Sequence, residues 1–267
     1  MSKADPGLFS IEQEGHSAQW GQAAAQTGQT ARPVQGAQTG QPGGRTLLRL
    51  EGVSKRYGSR QVLRDLNFSL PAGRLIGLCG PNAAGKTTLL RLIAGFIPPS
   101  AGKIQRSETT ISYVLRPEDF YRWMTVADAL EYYGDFHRDF DPGKARRLAS
   151  EARLSPGQKI SRLSQGQKER LCLLLALSRR AQLYLLDESA AGIDPEFKRD
   201  FRRFLLANLP TGATALMATH LLKDFETLFD AILLLRNGQA EFYETDDIRD
   251  QRRQSIEQFY LEVTAHA

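Results

Sequence analysis

Gly80, Gly85, Lys86 and Thr87 stand at the spacing of a glycine, four residues, then Gly-Lys-Thr, within Gly80-Pro81-Asn82-Ala83-Ala84-Gly85-Lys86-Thr87-Thr88. That spacing is the phosphate-binding loop pattern. Its chemistry comes from backbone N–H groups at a helix start that point at phosphate, and from a helix dipole that favours negative charge. Lys86 can reach the β- and γ-phosphates of a nucleotide. The Thr87 hydroxyl can ligate Mg²⁺, which neutralises more of the phosphate charge. A second chemical pair closes the apolar run Leu183-Tyr184-Leu185-Leu186: Asp187 and Glu188 are adjacent carboxylates. Asp187 suits Mg²⁺, directly or through water, and Glu188 suits the polarisation of an attacking water. Taken alone such a pair also serves as a helix cap. Behind a phosphate loop it reads as a metal ligand and a base.

These residues need elements to aim them. Leu75–Cys79 is a short apolar run that reads as a buried strand leading into the loop, and Leu89–Phe96 reads as the helix that leaves it. Ligands of α/β sheets sit beyond the carboxyl ends of the strands, and Asp187 ends one such strand. Leu48, Leu50 and Val53 predict a strand, followed by a turn over Ser54–Gly58. Leu66, Phe68 and Leu70 alternate with polar residues, the pattern of a half-buried strand. Pro71-Ala72-Gly73 predicts a turn, and Ile104 and Ile111–Leu115 predict two more strands. Thr125 with Asp128 makes a capping-box pattern, and Asp141-Pro142 is a cap followed by proline at the first helical position, opening a helix to about Arg153. Ser164 precedes a helix carrying Leu171, Leu174, Leu175 and Leu177, and in isolation reads as its N-cap. Leu183–Leu186 and Ala215–Thr219 have the continuous apolar character of parallel strands buried on both faces. Asp194-Pro195 opens a helix whose apolar stripe is Phe197, Phe201, Phe204 and Leu205. Ala231–Leu235 and Ala240–Tyr243 flank Asn237-Gly238, a hairpin signal. Ile256, Phe259, Tyr260 and Val263 mark a last amphipathic helix. Strands alternating with helices predict an α/β fold with a mainly parallel sheet.

Composition sets the outer bounds. The chain has 267 residues and a formal net charge of +5. That length suits one large domain, or one domain with a subdomain. Residues 1–45 are rich in Gln, Gly, Ala and Thr and poor in large apolar side chains, so a disordered tail is expected, with a partner-binding tail as the alternative. Residues 46–267 make the folded domain. Met1–Glu14 lacks the apolar core of a signal peptide, and no stretch reaches the roughly 18 apolar residues of a spanning helix. Cys79 and Cys172 both sit in apolar runs, where they read as small core residues; their spacing matches no metal site. The mild basicity would suit an anionic membrane face or a nucleic acid, and carries little weight alone.

Leu163-Ser164-Gln165-Gly166-Gln167, read with the loop and Asp187-Glu188, makes the chain resemble the ATP-binding cassette (ABC) family, whose signature is Leu-Ser-Gly-Gly-Gln. The resemblance covers about Leu47 to Val263. It implies a P-loop NTPase fold with a mainly parallel sheet, an antiparallel β subdomain, and a helical subdomain over about 117–163. It implies ATP and Mg²⁺ as cofactors, bound by Gly80, Pro81, Asn82, Ala83, Ala84, Gly85, Lys86, Thr87 and Thr88. It places Tyr57 against adenine, and Thr87 and Asp187 on the metal. Glu188, His220 and Lys86 become the catalytic set, with His220 touching the γ-phosphate. Ser164, Gly166 and Gln167 become the part that faces the nucleotide of a second subunit. Ala191–Pro195 resembles the segment that touches that subunit. Implied partners are a second ABC subunit, in a homo- or heterodimer, and a membrane permease on a separate chain; no nucleic acid is expected. The implied place is cytoplasmic, on the inner face of the cell membrane.

Phe120–Val126 is similar to ATPase subunits of two-component bacterial exporters, so export is the expected direction. A soluble ABC ATPase without a transport role, such as a cofactor-assembly scaffold, is the rival, and an inactive regulatory cassette a third reading. The chain departs from the family pattern at four places. Gln165 replaces the first signature glycine, and Ser189-Ala190 stand where Pro-Thr is usual. Ala83 replaces a loop glycine, where a methyl group could crowd the phosphate or require φ < 0. Arg116 falls where a glutamine normally touches Mg²⁺ and water. An arginine cannot ligate a cation, though it can pair with phosphate.

Overall fold

Two long runs, Thr46–Tyr57 (β1) and Arg60–Pro71 (β2), meet as an antiparallel hairpin turning at Gly58-Ser59. The structure is a computed structural model that describes residues 45–114, 116–187, 195–219 and 225–265, with only the backbone described for 195–200 and 251. The tail expected over residues 1–45 lies, apart from Arg45, outside the described residues. The turn expected over Ser54–Gly58 is displaced: Ser54 to Tyr57 stay in β1. Lys55 pairs with Leu63, Arg56 with Gln61 and Tyr57 with Arg60, and register shifts between Val53 and Arg56 take up the irregularity. A run of polar residues does not end such a strand, because one face of an antiparallel sheet can stay in water. Ala101–Arg106 (β4) pairs with the other edge of β1, giving the order β2-β1-β4.

The second sheet has six strands. Leu75–Cys79 (β3), Ile111–Tyr113 (β5), Leu183–Asp187 (β6), Thr214–Ala218 (β7), Ala231–Arg236 (β8) and Gln239–Glu244 (β9) lie in the order β5-β6-β7-β3-β8-β9. All neighbours are parallel except β8 and β9. Those two form the hairpin announced by Asn237-Gly238, whose φ angles of 50° and 77° are the pair that its two-residue turn requires. The same turn anchors the first sheet, since Gly238 O accepts from Arg64 N at 2.6 Å. β5 is shorter than the run Ile111–Leu115: Tyr113 is its last residue, although Val114 N still donates to Leu185 O of β6 at 2.9 Å.

Helix Lys86–Ala94 (α1) follows β3 and buries Leu89, Leu90, Leu92 and Ile93 against the sheet. Val126–Phe136 (α2) and Pro142–Glu151 (α3) start at the caps read from sequence. Thr125 and Asp128 exchange both capping bonds, and Asp141 Oδ1 accepts from Lys144 N at 3.0 Å. Gln165–Leu177 (α4) is apolar all round over Leu171–Leu177, every residue of which is buried. A helix of that kind belongs inside: α4 packs against α2 and α3 on one side and β5 on the other. Pro195–Asn208 (α5) buries Phe201 and Leu205, with Phe204 half-buried; Phe197 is outside the described side chains. Thr245–Arg252 (α6) has no apolar stripe to announce it, and its one large apolar residue, Ile248, is buried. Ile256–Ala265 (α7) docks through Ile256 and Phe259. The fold is therefore α/β, with a mainly parallel sheet, a separate antiparallel sheet and a group of helices between β5 and β6.

Candidate functional site

The carboxyl ends of β3, β6 and β7 lie side by side. Leu78 pairs with Ala218, and Ala218 with Asp187, so the loop after β3 and the carboxylate that ends β6 emerge at one edge of the sheet. Continuous apolar strands make this edge rigid, because β6 and β7 are buried on both faces and cannot shift without exposing core.

The loop after β3 holds a shape that few residues allow. Gly80 has φ 155° and Gly85 φ 105°. A methyl group on Gly85 would come within 2.9 Å of Val62 Cγ1, so the β2 strand closes over this turn. Ala83 also adopts a positive φ, 62°. The expected crowding is thus not relieved by φ < 0; the alanine follows the glycine-like path, at a cost of about 1–2 kcal/mol for a left-handed residue with a Cβ. α1 begins at Gly85 with no side-chain cap, which leaves the first backbone N–H groups of the helix to whatever binds there.

Lys86 is only 6% exposed. Its ammonium donates to Gly80 O at 2.8 Å and to Pro81 O at 3.1 Å, both carbonyls of the loop itself. A buried cation needs such partners. Cys79, one residue before the loop, is a buried free thiol. Burial pushes its pKa up to about 12, against the opposing pull of the Lys86 charge, so it stays a neutral core residue as its apolar run suggested.

Thr87 Oγ1 donates to Asp187 Oδ1 at 2.9 Å. This bond joins the two motifs that the sequence puts 100 residues apart. The second carboxylate oxygen is also engaged: Tyr113 OH donates to Asp187 Oδ2 at 3.0 Å. Burial and then the Asp187 carboxylate push the Tyr113 phenol up to about 12, with the guanidinium groups of Arg91 and Arg116 acting against the rise. Nothing in the sequence marks Tyr113. Its role depends on β5 pairing with β6, which only the fold reveals.

Arg116 is exposed just after β5; its backbone N–H donates to Asp119 Oδ2 at 2.8 Å. Tyr57 is 48% exposed beside the turn of the β1–β2 hairpin, with the Lys55 ammonium 5.2 Å from its ring centroid. Ser164 and Gln167 cap α4 reciprocally: Gln167 N donates to Ser164 Oγ at 3.2 Å, and Ser164 N to Gln167 Oε1 at 2.9 Å. Gly166 is buried within that first turn. Among the described residues no hydrogen bond links Ser164–Gln167 to the loop Gly80–Thr88. Glu188, His220 and Ala191–Asp194 lie outside the described residues; Thr219, which precedes His220, is buried at the end of β7.

Comparison with known proteins adds to this geometry. A family model described as "ABC transporter" matches residues 63–191. The manganese transport system ATP-binding protein MntB of Bacillus subtilis is 32% identical over 220 residues, covering 75% of this chain and 88% of the relative. The Nod factor export ATP-binding protein I of Rhizobium johnstonii is 34% identical over 210 residues, covering 71% of this chain and 66% of the relative. The chain thus spans about two thirds of that relative's length. A solved structure described as the ATP binding subunit of an ABC transporter superposes with a TM-score of 0.74 at 26% identity, covering 82% of this chain and 100% of the other. With the loop, the capped signature helix and the carboxylate of β6 in this arrangement, the chain belongs to the ABC transporter family as one of its nucleotide-binding ATPase subunits.

Proposed function

We propose that this chain hydrolyses ATP to drive a separate membrane permease, in the direction of export. The observation that carries the ATPase reading is the 2.9 Å bond between Thr87 and Asp187 at the mouth of the loop. A hydroxyl and a carboxylate form a hard-oxygen donor set, and that set fits Mg²⁺. Bound Mg²⁺ would supply the positive charge that offsets the phosphates. In this reading the backbone of Gly80–Thr88, including Pro81, Asn82, Ala83, Ala84 and Thr88, wraps the phosphates of ATP, with Lys86 as the buried cation. Tyr57 carries the adenine, Glu188 polarises the water, and His220 steadies the γ-phosphate. Ser164, Gly166 and Gln167 of a second ABC subunit, identical or related, complete each site.

ABC ATP-binding subunits generally pair with a permease and dimerise. No helix among the described residues is long and apolar enough to cross a membrane. A groove of about 1030 Å³ between α2, α3 and the loop after α3 is floored by Val126, Leu130, Leu154 and Pro156 and edged by Glu131 and Arg146. Tyr121 and Trp123 stack 5.9 Å apart before α2, and Trp123 is 65% exposed. These features support the helical subdomain, about 117–163, as the part that receives a cytoplasmic helix of the permease. They support a cytoplasmic position on the inner face of the cell membrane. The names of the relatives, one an export and one a transport ATP-binding protein, support the coupled role.

The test is co-purification. Tagged protein recovered from detergent-solubilised membranes is expected to bring a stoichiometric multi-helix membrane protein with it. Recovery with a soluble partner and no membrane protein would sink the transport role and favour a cofactor-assembly scaffold.

A further inference from the structure

Asp187 has two carboxylate oxygens and two hydroxyl donors, one from each side. Thr87 reaches Oδ1 from α1, and Tyr113 reaches Oδ2 from β5. The second contact follows from register. Tyr113 pairs with Leu185 across β5 and β6, and residues two apart on a strand share a face, so Asp187 stands on the same face one step further on. A tyrosine ring spans that step. The ring is itself fixed: it is 8% exposed and meets Phe96 edge-on, with centroids 5.0 Å apart. A phenol that is buried needs an acceptor, and an ionised carboxylate is the strongest one available.

We propose that Tyr113 is a positioning residue for the metal site: by holding Asp187 Oδ2, its hydroxyl turns Oδ1 toward Thr87 and sets the affinity for a divalent cation separately from that for the nucleotide. The inference rests on the reading that Thr87 and Asp187 hold Mg²⁺. Partners that orient a metal-binding carboxylate commonly change metal affinity by about 10–100-fold when removed.

The experiment uses the full chain and Tyr113→Phe, which keeps the ring against Phe96 and removes only the hydroxyl. Mn²⁺, followed by its electron paramagnetic resonance signal, is titrated into protein saturated with ADP. ADP affinity is measured separately in EDTA. The variant should bind Mn²⁺ about tenfold more weakly, bind ADP in EDTA within about twofold of wild type, and recover its ATPase rate at high Mg²⁺. Unchanged Mn²⁺ affinity overturns the proposal. So does an equal loss of ADP affinity in EDTA, or a lower unfolding temperature of the nucleotide-free protein, since either marks Tyr113 as a packing residue. Thr87→Ala separates the two levels of the argument. If Thr87→Ala loses Mn²⁺ and Tyr113→Phe does not, the inference alone fails. If neither variant alters Mn²⁺ binding, the metal reading fails with it.

Discussion

Gly80 passes so close to Leu235 that a methyl group on it would lie 2.2 Å from the Leu235 carbonyl oxygen. That oxygen belongs to β8, next to β3 in the sheet, and cannot move aside cheaply. Gly80→Ala should therefore destabilise the fold by at least about 2 kcal/mol, from the clash and the φ of 155° together. Denaturant unfolding checks it, and a loss under about 0.5 kcal/mol would show that the sheet opens more readily than its packing suggests.

Lys86→Ala should lower ATPase activity by on the order of a hundred- to a thousandfold, the usual effect of removing a group aimed at developing charge. A steady-state assay at saturating ATP reads this directly. Activity within tenfold of wild type would mean that the ammonium, held by Gly80 O and Pro81 O, stays a structural clasp during turnover.

At Ala83 the expected change is a gain. Ala83→Gly removes the strain of a φ of 62° but loosens the unfolded chain, so the net gain should be about 0.5 kcal/mol, with ATP affinity unchanged. A loss of stability in urea would place the methyl group in a contact that holds the loop.

Arg116→Gln tests the departure beside the site. The guanidinium acts on Tyr113, the partner of Asp187, and glutamine would supply a neutral acceptor instead. The ATPase rate should rise and its Mg²⁺ dependence should shift to lower concentrations. If both stay as in wild type, the site tolerates arginine and the departure has no catalytic weight.

His137 gives a pH dependence. Burial, and then the charge of Arg179, hold its imidazole below the ordinary protonation range, with Asp139 opposing. The unfolded chain protonates near pH 6.5 or so, while the folded chain resists. Stability is then complete above that pH and falls as pH drops through it. Between about pH 7.5 and about pH 5.5, wild type should lose more of its unfolding temperature than His137→Asn. Equal losses would assign the pH sensitivity elsewhere.

What could be read without the fold was whatever is written locally. The caps at Thr125, Asp141 and Ser164, the turn at Asn237-Gly238 and the apolar runs of β3, β6 and β7 each carry their signal within a few residues, and each forms where expected. The phosphate loop belongs to the same class. What could not be read depends on long-range register. Ser54–Tyr57 stays extended because β2 and β4 bond to β1 over the sequence's polar run. Val62 closes over Gly85, and Tyr113 finds Asp187, only once separate strands are laid side by side. Helix α6 carries no periodic signal because Ile248 is its one large apolar residue, while its other buried anchor, Thr245, is polar and bonds Phe229 O. The parts of the site assigned to Glu188 and His220 rest on sequence resemblance.

The reciprocal cap of Ser164 and Gln167 has a consequence for economy of donors. In that cap the serine oxygen accepts a hydrogen, and its own hydroxyl hydrogen has no acceptor among the described residues. Gln167 and Lys168 have found acceptors for their backbone N–H groups in Ser164, whereas those of Gln165 and Gly166 have none among the described residues. One serine can thus finish the helix of its own chain and still turn a proton outward beside two open amides. The two readings of Ser164, local cap and contact to another subunit's anion, do not compete for the same atoms. The cap closes the first turn of α4 with residues of its own chain.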